Sequence, residues 1–237
     1  MRKGMMLLAL VFLPSLLLAA CTIQEKPVGG ESAVTLENDL VRVVVSPVQG
    51  GQIADLVYKP TGKHLVAEET GLFVDRVWNY SDPAIYNQWG KTTYDVRTFP
   101  GATEAAVELT GRGKGGPAER MIFHKRYTIT DGSPAVRVDY RFEVAQEAMA
   151  PMQIGLWFHG RPGVRGESNT YYLPSDGRIQ EIAYGAGAKG EYWWYQPDRG
   201  WLAVRGESGD GLALCMDYQR LMSFYQWLHG DMPGLEF

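Results

Sequence analysis

The sequence lacks the residues that most metal, redox and hydrolytic sites need. Its 237 residues include two cysteines and four histidines. The histidines are scattered, without the short spacing of transition-metal ligands: His64, His124, His159 and His229. No Gly-x-Ser-x-Gly elbow occurs, and the glycine-rich stretch 111–116 lacks the Gly-Lys-Ser/Thr ending of a phosphate-binding loop. We therefore expect neither a metal nor a cofactor.

Positive charge is also scarce. Lys and Arg number 23 against 27 Asp and Glu, which leaves a formal net charge of −4. Because nucleic-acid binding depends on a basic stripe, which is missing here, we expect no nucleic-acid partner. The 45% hydrophobic content is that of a globular protein. A chain of this length can bury a core without disulfides.

One long apolar run is present, at the N-terminus. Arg2 and Lys3 precede it, and Leu18-Ala19-Ala20-Cys21 follows at its end. The run is shorter than the ~20 residues that cross a bilayer comfortably, which favours a cleaved signal over a membrane anchor. The tetrapeptide resembles the lipobox of bacterial lipoproteins. This resemblance implies a signal peptide over residues 1–20 and lipidation at Cys21, with an ordinary secretory signal or a transmembrane anchor as the alternative.

The lipoprotein resemblance also suggests a location. Thr22 rather than Asp follows the cysteine, which by similarity to enterobacterial sorting implies a lipid-anchored protein on the periplasmic side of the outer membrane. Residues 22–32 mix Pro, Gly and charge without periodicity, so together with Cys21 we predict a lipidated tether over 21–32. Cys215 lies in an apolar run and is predicted to be a small buried side chain.

Period-two alternation of apolar residues dominates the rest of the chain. It predicts hairpins that turn at Asn38-Asp39 and at Asp131-Gly132. No window outside the signal has an apolar stripe at helical spacing. Strands at this density, separated by Gly, Pro, Asn and Asp, predict an all-β sandwich or barrel over residues 33–237.

The first strands carry a more specific pattern. It consists of Asn38, Pro47, Gly50, Gly51, Ile53, Leu56, Thr61 and Gly62. This block resembles the opening of galactose-mutarotase-like domains, which implies an antiparallel β-supersandwich of that type. Residues 235–237 look like the start of another strand, so we expect the supersandwich to be C-terminally incomplete in this sequence.

The resemblance implies candidates for acid and base chemistry. Mutarotases use a histidine acid at a strand end, and His159 follows the apolar run 154–158 at the matching place. A histidine suits this task because its ordinary pKa lies near neutral pH. The aromatic pair that follows the family's histidine is replaced here by Gly160-Arg161, so a structural hydrogen bond is the alternative role. The candidate bases are two late carboxylates, Asp217 and Glu236.

Sugar recognition would need cations and aromatic rings. Guanidinium groups can grip hydroxyls or carboxylates, and aromatic rings stack on pyranose faces. The candidates are Arg76, Trp78, Trp89, Arg161, Arg165 and Trp193. Neighbouring residues of a strand face opposite sides, so at least one of Trp193 and Trp194 should be exposed.

Together these patterns predict an envelope lipoprotein that binds a carbohydrate, with or without aldose 1-epimerase activity. The alternative is a non-catalytic structural or protein-binding envelope lipoprotein. The sequence carries no signal for an oligomeric state.

Overall fold

The computed structural model describes residues 21–67, 71–78, 89–114, 119, 121–144, 155–184, 190–195, 197–217, 219, 221, 223–228 and 234–236. These residues form antiparallel strands, with a 3-10 turn at Trp89–Lys91 and no α-helix among them. The strands are β1 (Thr22–Val28), β2 (Glu31–Glu37), β3 (Val41–Ser46), β4 (Gln52–Tyr58), β5 (Lys63–His64), β6 (Val74–Trp78), β7 (Asp95–Phe99), β8 (Glu104–Arg112), β9 (Met121–Thr130), β10 (Val136–Val144), β11 (Gly155–Gly160), β12 (Asn169–Ser175), β13 (Arg178–Tyr184), β14 (Gly190–Tyr195), β15 (Trp201–Gly206), β16 (Gly211–Cys215), β17 (Ser223–Leu228) and β18 (Gly234–Glu236).

The strands assemble into four sheets. Sheet A has the order β1-β2-β3-β4-β5, and sheet B has the order β10-β9-β8-β7. Sheet C has the order β14-β17-β18-β11-β6, and sheet D has the order β13-β12-β15-β16. The all-β antiparallel sandwich predicted from the alternation is confirmed. Among the described residues, no helix is long and apolar enough to cross a membrane.

Two hydrophobic cores hold the sheets together. The larger core joins sheets A and B through buried residues that include Val34, Leu36, Val43, Val107, Leu109 and Tyr127. The smaller core joins sheet D to sheet C and consists of Tyr171, Leu173, Leu202, Val204, Leu214 and Phe224. Phe73, which directly precedes β6, packs against both cores. The start of β6 is therefore held from both sides.

The predicted turn at Asn38 is confirmed, and the Asn38 side chain also links this turn to the facing sheet. The Asn38 Oδ1 atom accepts hydrogen bonds from the backbone N–H groups of Leu40 at 2.9 Å and Val41 at 2.7 Å. Its Nδ2 atom donates to the carbonyls of Thr130 at 2.7 Å and Ser133 at 2.9 Å. The side chain thus shapes the β2-β3 turn and ties it to the β9-β10 turn in the facing sheet.

The second predicted hairpin is also confirmed. β9 and β10 pair from Val136↔Ile129 to Val144↔Met121, and Gly132 in the turn has a φ of 65°. The alternating residues of β9 that point inward are all buried: Phe123, Lys125, Tyr127 and Ile129. One of these four is a lysine, which needs partners in the core.

The prediction of a tether is wrong for residues 22–28. They form β1, which pairs with β2 over its whole length from Thr22↔Glu37 to Val28↔Glu31. Local composition does not predict this strand, because it has no apolar alternation of its own. Backbone hydrogen bonds to β2 hold it in place. Cys21 is buried, and its N–H donates to the Ala102 carbonyl at 3.0 Å.

Two other expectations concern the later strands. Cys215 is exposed, so the prediction of a buried thiol is wrong. It ends β16, the outer strand of sheet D, where one face of an apolar strand meets solvent. The strand expected near residues 235–237 is present as β18, which lies between β17 and β11 in sheet C.

Candidate functional site

One face of sheet C brings together residues from five strands. Trp193 is paired with Tyr225, Tyr225 with Glu236, Glu236 with His159, and His159 with Val74. We call these five residues the Trp193 row. Residues directly opposite in an antiparallel pair share a face, so the row runs across one face of the whole sheet. His159, the candidate acid, and Glu236, one of the two candidate bases, are direct cross-strand neighbours in this row.

The β14 end of the row is aromatic and open to solvent. Trp193 is 43% exposed and stacks on Tyr225, with ring centroids 3.9 Å apart and an interplanar angle of 24°. Tyr195, which is 66% exposed, also stacks with Trp193, with ring centroids 5.8 Å apart. Trp194 faces the opposite way and packs against the smaller core. The expectation that at least one of the two tryptophans is exposed is confirmed.

The β6 end of the row adjoins a cleft with charged walls. The cleft has a volume of about 230 Å³ and is lined by Val74, Asp75, Arg76, Gly90 and Lys91. We call it the Arg76 cleft. Val74 and Arg76 lie two residues apart on β6, on the face that carries the row. Gly90 packs tightly against β6, because an added Cβ atom there would come 3.0 Å from Val74 Cγ1.

Asp75 belongs to a buried polar network that sequence reasoning missed. Its Oδ2 atom is 2.8 Å from Lys125 Nζ and accepts a hydrogen bond from the Tyr94 hydroxyl at 2.7 Å. The side chains of both Lys125 and Asp75 are at most 1% exposed. Lys125 Nζ also donates to the carbonyls of Phe73 at 2.6 Å and Gly50 at 2.8 Å. We call this set, with Tyr127 and Tyr140, the Lys125 network.

The contacts indicate which protonation state the buried pair adopts. Burial raises the pKa of Asp75, although Lys125 and the hydroxyls of Tyr94 and Tyr140 oppose that rise. Burial lowers the pKa of Lys125, and Asp75 opposes that change. Three carbonyls and one carboxylate oxygen surround the Lys125 nitrogen, including Gly51 O at 3.3 Å. An ammonium group has three protons to donate, so this all-acceptor surrounding favours the ion pair.

The Lys125 network holds two unusual pieces of backbone in place. Phe73 has a φ of 60°, which is rare for a residue other than glycine, and its carbonyl is the closest acceptor of Lys125. At Gly50, with a φ of 69°, any Cβ atom would come 2.6 Å from the Trp89 carbonyl. The strained entry to β6 and the Gly50 turn are therefore both fixed by one ammonium group, beneath the Arg76 cleft.

Trp89 is a core residue, so the prediction that its ring stacks on a ligand is wrong. It is 0% exposed and packs against Phe123, with ring centroids 4.0 Å apart. Its polar sequence neighbours suggest a surface loop, but the 3-10 turn at Trp89–Lys91 folds the ring into the larger core.

Arg161 is buried, whereas Arg165 remains 44% exposed while it bonds to neighbouring residues. Arg161 is 7% exposed, and its backbone N–H and carbonyl bond to Gly71 and Ala67. Arg165 donates to Asp55 Oδ1 at 3.1 Å and to the Val66 carbonyl at 3.1 Å. These contacts tie the segment after β11 to sheet A.

A second ion pair fastens the same segment. Lys63 Nζ is 2.6 Å from Glu167 Oε1, and the Ser208 N–H donates to the other carboxylate oxygen at 2.9 Å. The hydrogen bond from Lys63, followed by that from Ser208, lowers the pKa of Glu167 to about 2. The segment that follows His159 is therefore anchored at several points.

The remaining candidates divide between sheets. Trp78 ends β6 and is paired with Gly155, which places it on the face of the Trp193 row. Asp217 follows β16 in sheet D, where its Oδ1 atom accepts a hydrogen bond from the Gln219 N–H at 3.2 Å. Pairing on sheet C therefore selects Glu236, not Asp217, as the carboxylate opposite His159.

Within the described ranges, no group of three or more His, Cys, Asp or Glu side chains is arranged to hold a metal ion. The cysteines among them, Cys21 and Cys215, are both free thiols.

Comparisons with known proteins add information about the fold alone. No protein-family model matches the chain, and no curated protein matches it either. A solved structure, of a TPR-domain containing protein from Parabacteroides distasonis ATCC 8503, is similar over 87% of this chain with a TM-score of 0.60 and 14% identity. The match spans 42% of that protein's chain. At this identity, the similarity shows a shared strand framework.

Proposed function

We propose that this protein binds a carbohydrate on the face of sheet C that carries the Trp193 row. The observation that carries the proposal is the stack of Trp193, Tyr195 and Tyr225 at the solvent-exposed end of that row. Large exposed rings are costly in water unless a partner covers them, and a flat aromatic surface suits the C–H face of a pyranose. The galactose-mutarotase-like type of the sandwich, suggested by the residues from Asn38 to Gly62, agrees with a sugar ligand.

Replacing Trp193 by alanine is expected to weaken carbohydrate binding at least tenfold. The change removes the central ring of the stack, and a well-packed aromatic contact at the centre of a site often contributes more than 1.4 kcal/mol. The measurement is calorimetric titration with the best ligand from a glycan array. The matched control is Trp201→Ala in β15 of sheet D, with binding compared at a temperature where both variants are folded. Equal affinity of the Trp193 variant and the wild type would contradict the proposal.

A second activity is favoured by the pairing of His159 with Glu236. Conversion of one anomer into the other needs an acid that protonates the ring oxygen O5 and a base that takes the proton from O1. Both oxygens are bonded to C1, so the acid and base must be close neighbours. Directly opposite residues of an antiparallel pair have Cβ atoms about 5 Å apart, which meets this requirement. We therefore propose His159 as the acid and Glu236 as the base of an aldose 1-epimerase reaction.

The anchoring of the protein is a separate proposal. The resemblance of residues 18–21 to a lipobox supports lipidation of Cys21, and the short β1-β2 hairpin would then hold the sandwich close to the lipid. Because Cys21 is buried at the start of β1, attachment of a thioether lipid requires this strand end to open.

Labelling cells with a radioactive or alkyne-bearing palmitate tests the anchor. We expect the wild type and Cys215→Ser to incorporate label and to fractionate with the outer membrane. Cys21→Ser should lose the label and leave the membrane fraction. Label retained in the Cys21 variant would refute lipidation at this residue, and a wild type without label would favour an ordinary secretory signal or a transmembrane anchor.

The alternative to a sugar ligand is a protein partner on the same rings. The titration of the Trp193 variant distinguishes the two, because a structural envelope protein would bind no glycan in either form.

A further inference from the structure

The acid and base pair and the aromatic stack lie at different places along the Trp193 row. Tyr225 is one strand away from Glu236, and Trp193 is two strands away from it. Neighbouring strands lie about 4.8 Å apart, so Trp193 is roughly 10 Å from Glu236 and roughly 14 Å from His159 across the sheet. A pyranose ring is only about as long as one strand spacing. A sugar whose C1 atom lies between His159 and Glu236 therefore leaves Trp193 to another part of the ligand.

The strands that carry the stack are fixed from the core side. Trp194, the neighbour of Trp193 on β14, is paired with Phe224 on the opposite face of sheet C. Phe224 is fully buried in the smaller core, and Trp194 packs against that core. Trp193 and Tyr225 are stacked on each other on the outer face of these two strands. Rings that are already ordered lose little side-chain freedom when a ligand covers them, so the stack suits a second sugar.

The two ends of the row differ in how far a ligand can extend. At the β6 end, the 3-10 turn bounds the Arg76 cleft, where Gly90 packs against Val74. At the other end, β14 is the outermost strand of sheet C in the part of the chain that the structure describes, and Trp193 is exposed there. A chain of sugars that begins at the acid and base pair can therefore continue over β17 and β14 more readily than over β6.

We propose that the substrate is an oligosaccharide with a free reducing end. Its last sugar lies at His159 and Glu236, and the sugars before it lie against Tyr225 and Trp193. This inference rests on the proposed function, because it assigns a substrate class to the same face and to the same reaction. The stack binds the chain, and the pair acts on its end.

The chemistry requires the reducing end at the pair. In ring opening, Glu236 takes the proton from O1, the C1–O5 bond breaks, and His159 gives a proton to O5. Closure on the other face of C1 reverses both proton transfers and restores the starting state of the pair. In a sugar chain, the reducing end alone carries the free O1–H group that this reaction needs.

Reducing oligosaccharides of increasing length test this inference. The probes are malto-, cello-, manno- and galacto-oligosaccharides of one to four units, measured with the full-length protein. Exchange spectroscopy by NMR gives kcat/KM for anomer interconversion of each probe. In at least one series we expect kcat/KM to rise about tenfold by the second or third unit, as a stacked aromatic contact can provide. The fourth unit should add little, because β14 is the last described strand on that side of the sheet.

Two variants on one strand separate the stack from general effects on β14. Trp193→Ala should bring the ratio of kcat/KM for the trisaccharide to kcat/KM for the monosaccharide close to one. Tyr192→Ala should keep the wild-type ratio, because Tyr192 is similarly exposed, at 40%, but stacks on Trp194 on the opposite face. The ratio compares two substrates of the same variant, so a partial loss of folded protein cancels from it.

Reduced oligosaccharides provide a test that needs no variant. Borohydride converts the reducing sugar into an open-chain alditol, which has no hemiacetal to open, and leaves the other rings unchanged. The reduced trisaccharide should therefore inhibit turnover competitively, about tenfold more tightly than the alditol of the monosaccharide.

The outcomes distinguish this inference from the proposed function. Equal kcat/KM for monosaccharides and oligosaccharides in every series would overturn the oligosaccharide substrate and leave the epimerase reaction intact. A length dependence that persists in Trp193→Ala, or is lost in Tyr192→Ala, would overturn the assignment to the stack. Binding that grows with length without any turnover would overturn the reducing-end position and leave carbohydrate binding. If no probe is bound or turned over, the proposed function fails, and this inference fails with it.

Discussion

Replacing Lys125 by methionine is expected to lower the free energy of unfolding by about 3–5 kcal/mol, the cost of removing one member of a buried ion pair. Methionine fills most of the volume, but it leaves the Asp75 carboxylate buried without a countercharge. The carbonyls of Gly50 and Phe73 also lose their donor. Urea denaturation at pH 7 measures the effect.

The size of the loss should depend on pH and on the second member of the pair. Burial already raises the pKa of Asp75, and removing Lys125 raises it further because the opposing charge is gone. A carboxyl whose pKa is higher in the folded state stabilises the fold below its unfolded pKa, and this contribution is lost as the pH rises. The deficit of Lys125→Met should therefore be smaller near pH 4 than near pH 7. The double variant Asp75→Asn/Lys125→Met should be more stable at pH 7 than Lys125→Met alone.

Lys59→Met is the matched control for this series. Lys59 pairs with Glu37 at 2.8 Å in sheet A, but the two side chains are 36% and 33% exposed. An ion pair in contact with water contributes about 0–1 kcal/mol, so this variant should remain close to the wild type. A Lys125→Met variant as stable as Lys59→Met would contradict a structural function for the Lys125 network.

The second large effect concerns the reaction proposed at the His159 and Glu236 pair. His159→Ala and Glu236→Gln should each lower the enzyme-dependent rate of anomer interconversion at least 100-fold, the usual lower range for loss of a general acid or base. The two changes together should cost little more than either alone, because acid and base act in one step. Exchange spectroscopy by NMR on an aldose at equilibrium measures the rate directly.

His64→Ala is the histidine control for this reaction. His64 lies in sheet A, where its Nδ1 atom is 2.9 Å from Asp55, so the variant should keep the wild-type rate. A wild-type protein no faster than buffer would exclude the epimerase activity and leave the binding proposal. Full activity in Glu236→Gln would show that the paired carboxylate is not the base.

Local sequence patterns were sufficient to predict the all-β class and the hairpin turns at Asn38 and Gly132. Asn38 and Gly132 lie in turns that favour these residue types. Alternation along β9 correctly places Phe123, Tyr127 and Ile129 in the core. The same alternation puts Lys125 among these buried residues. That single basic residue in an inward position was the available signal for the Lys125 network, although its partner on β6 could not be deduced from it.

The features that were predicted wrongly or missed depend on contacts between distant parts of the chain, which local patterns do not show. Trp89 lies in the core because its ring packs against Phe123, which is distant in sequence. β1 is held by pairing with β2 despite its polar composition. The pairing of His159 with Glu236 depends on the insertion of β18 between β17 and β11, and the register of strands so far apart in the chain is set by tertiary packing.

An NMR titration locates the carbohydrate site on the sheets. Amide and indole chemical shifts are recorded by NMR while the best glycan from the array is added to the protein. Carbohydrate binding on the proposed face predicts shift changes concentrated along β14, β17, β18, β11 and β6, with the Trp193 indole among the largest. Changes concentrated on sheets A and B, or no changes at saturating glycan, would contradict it.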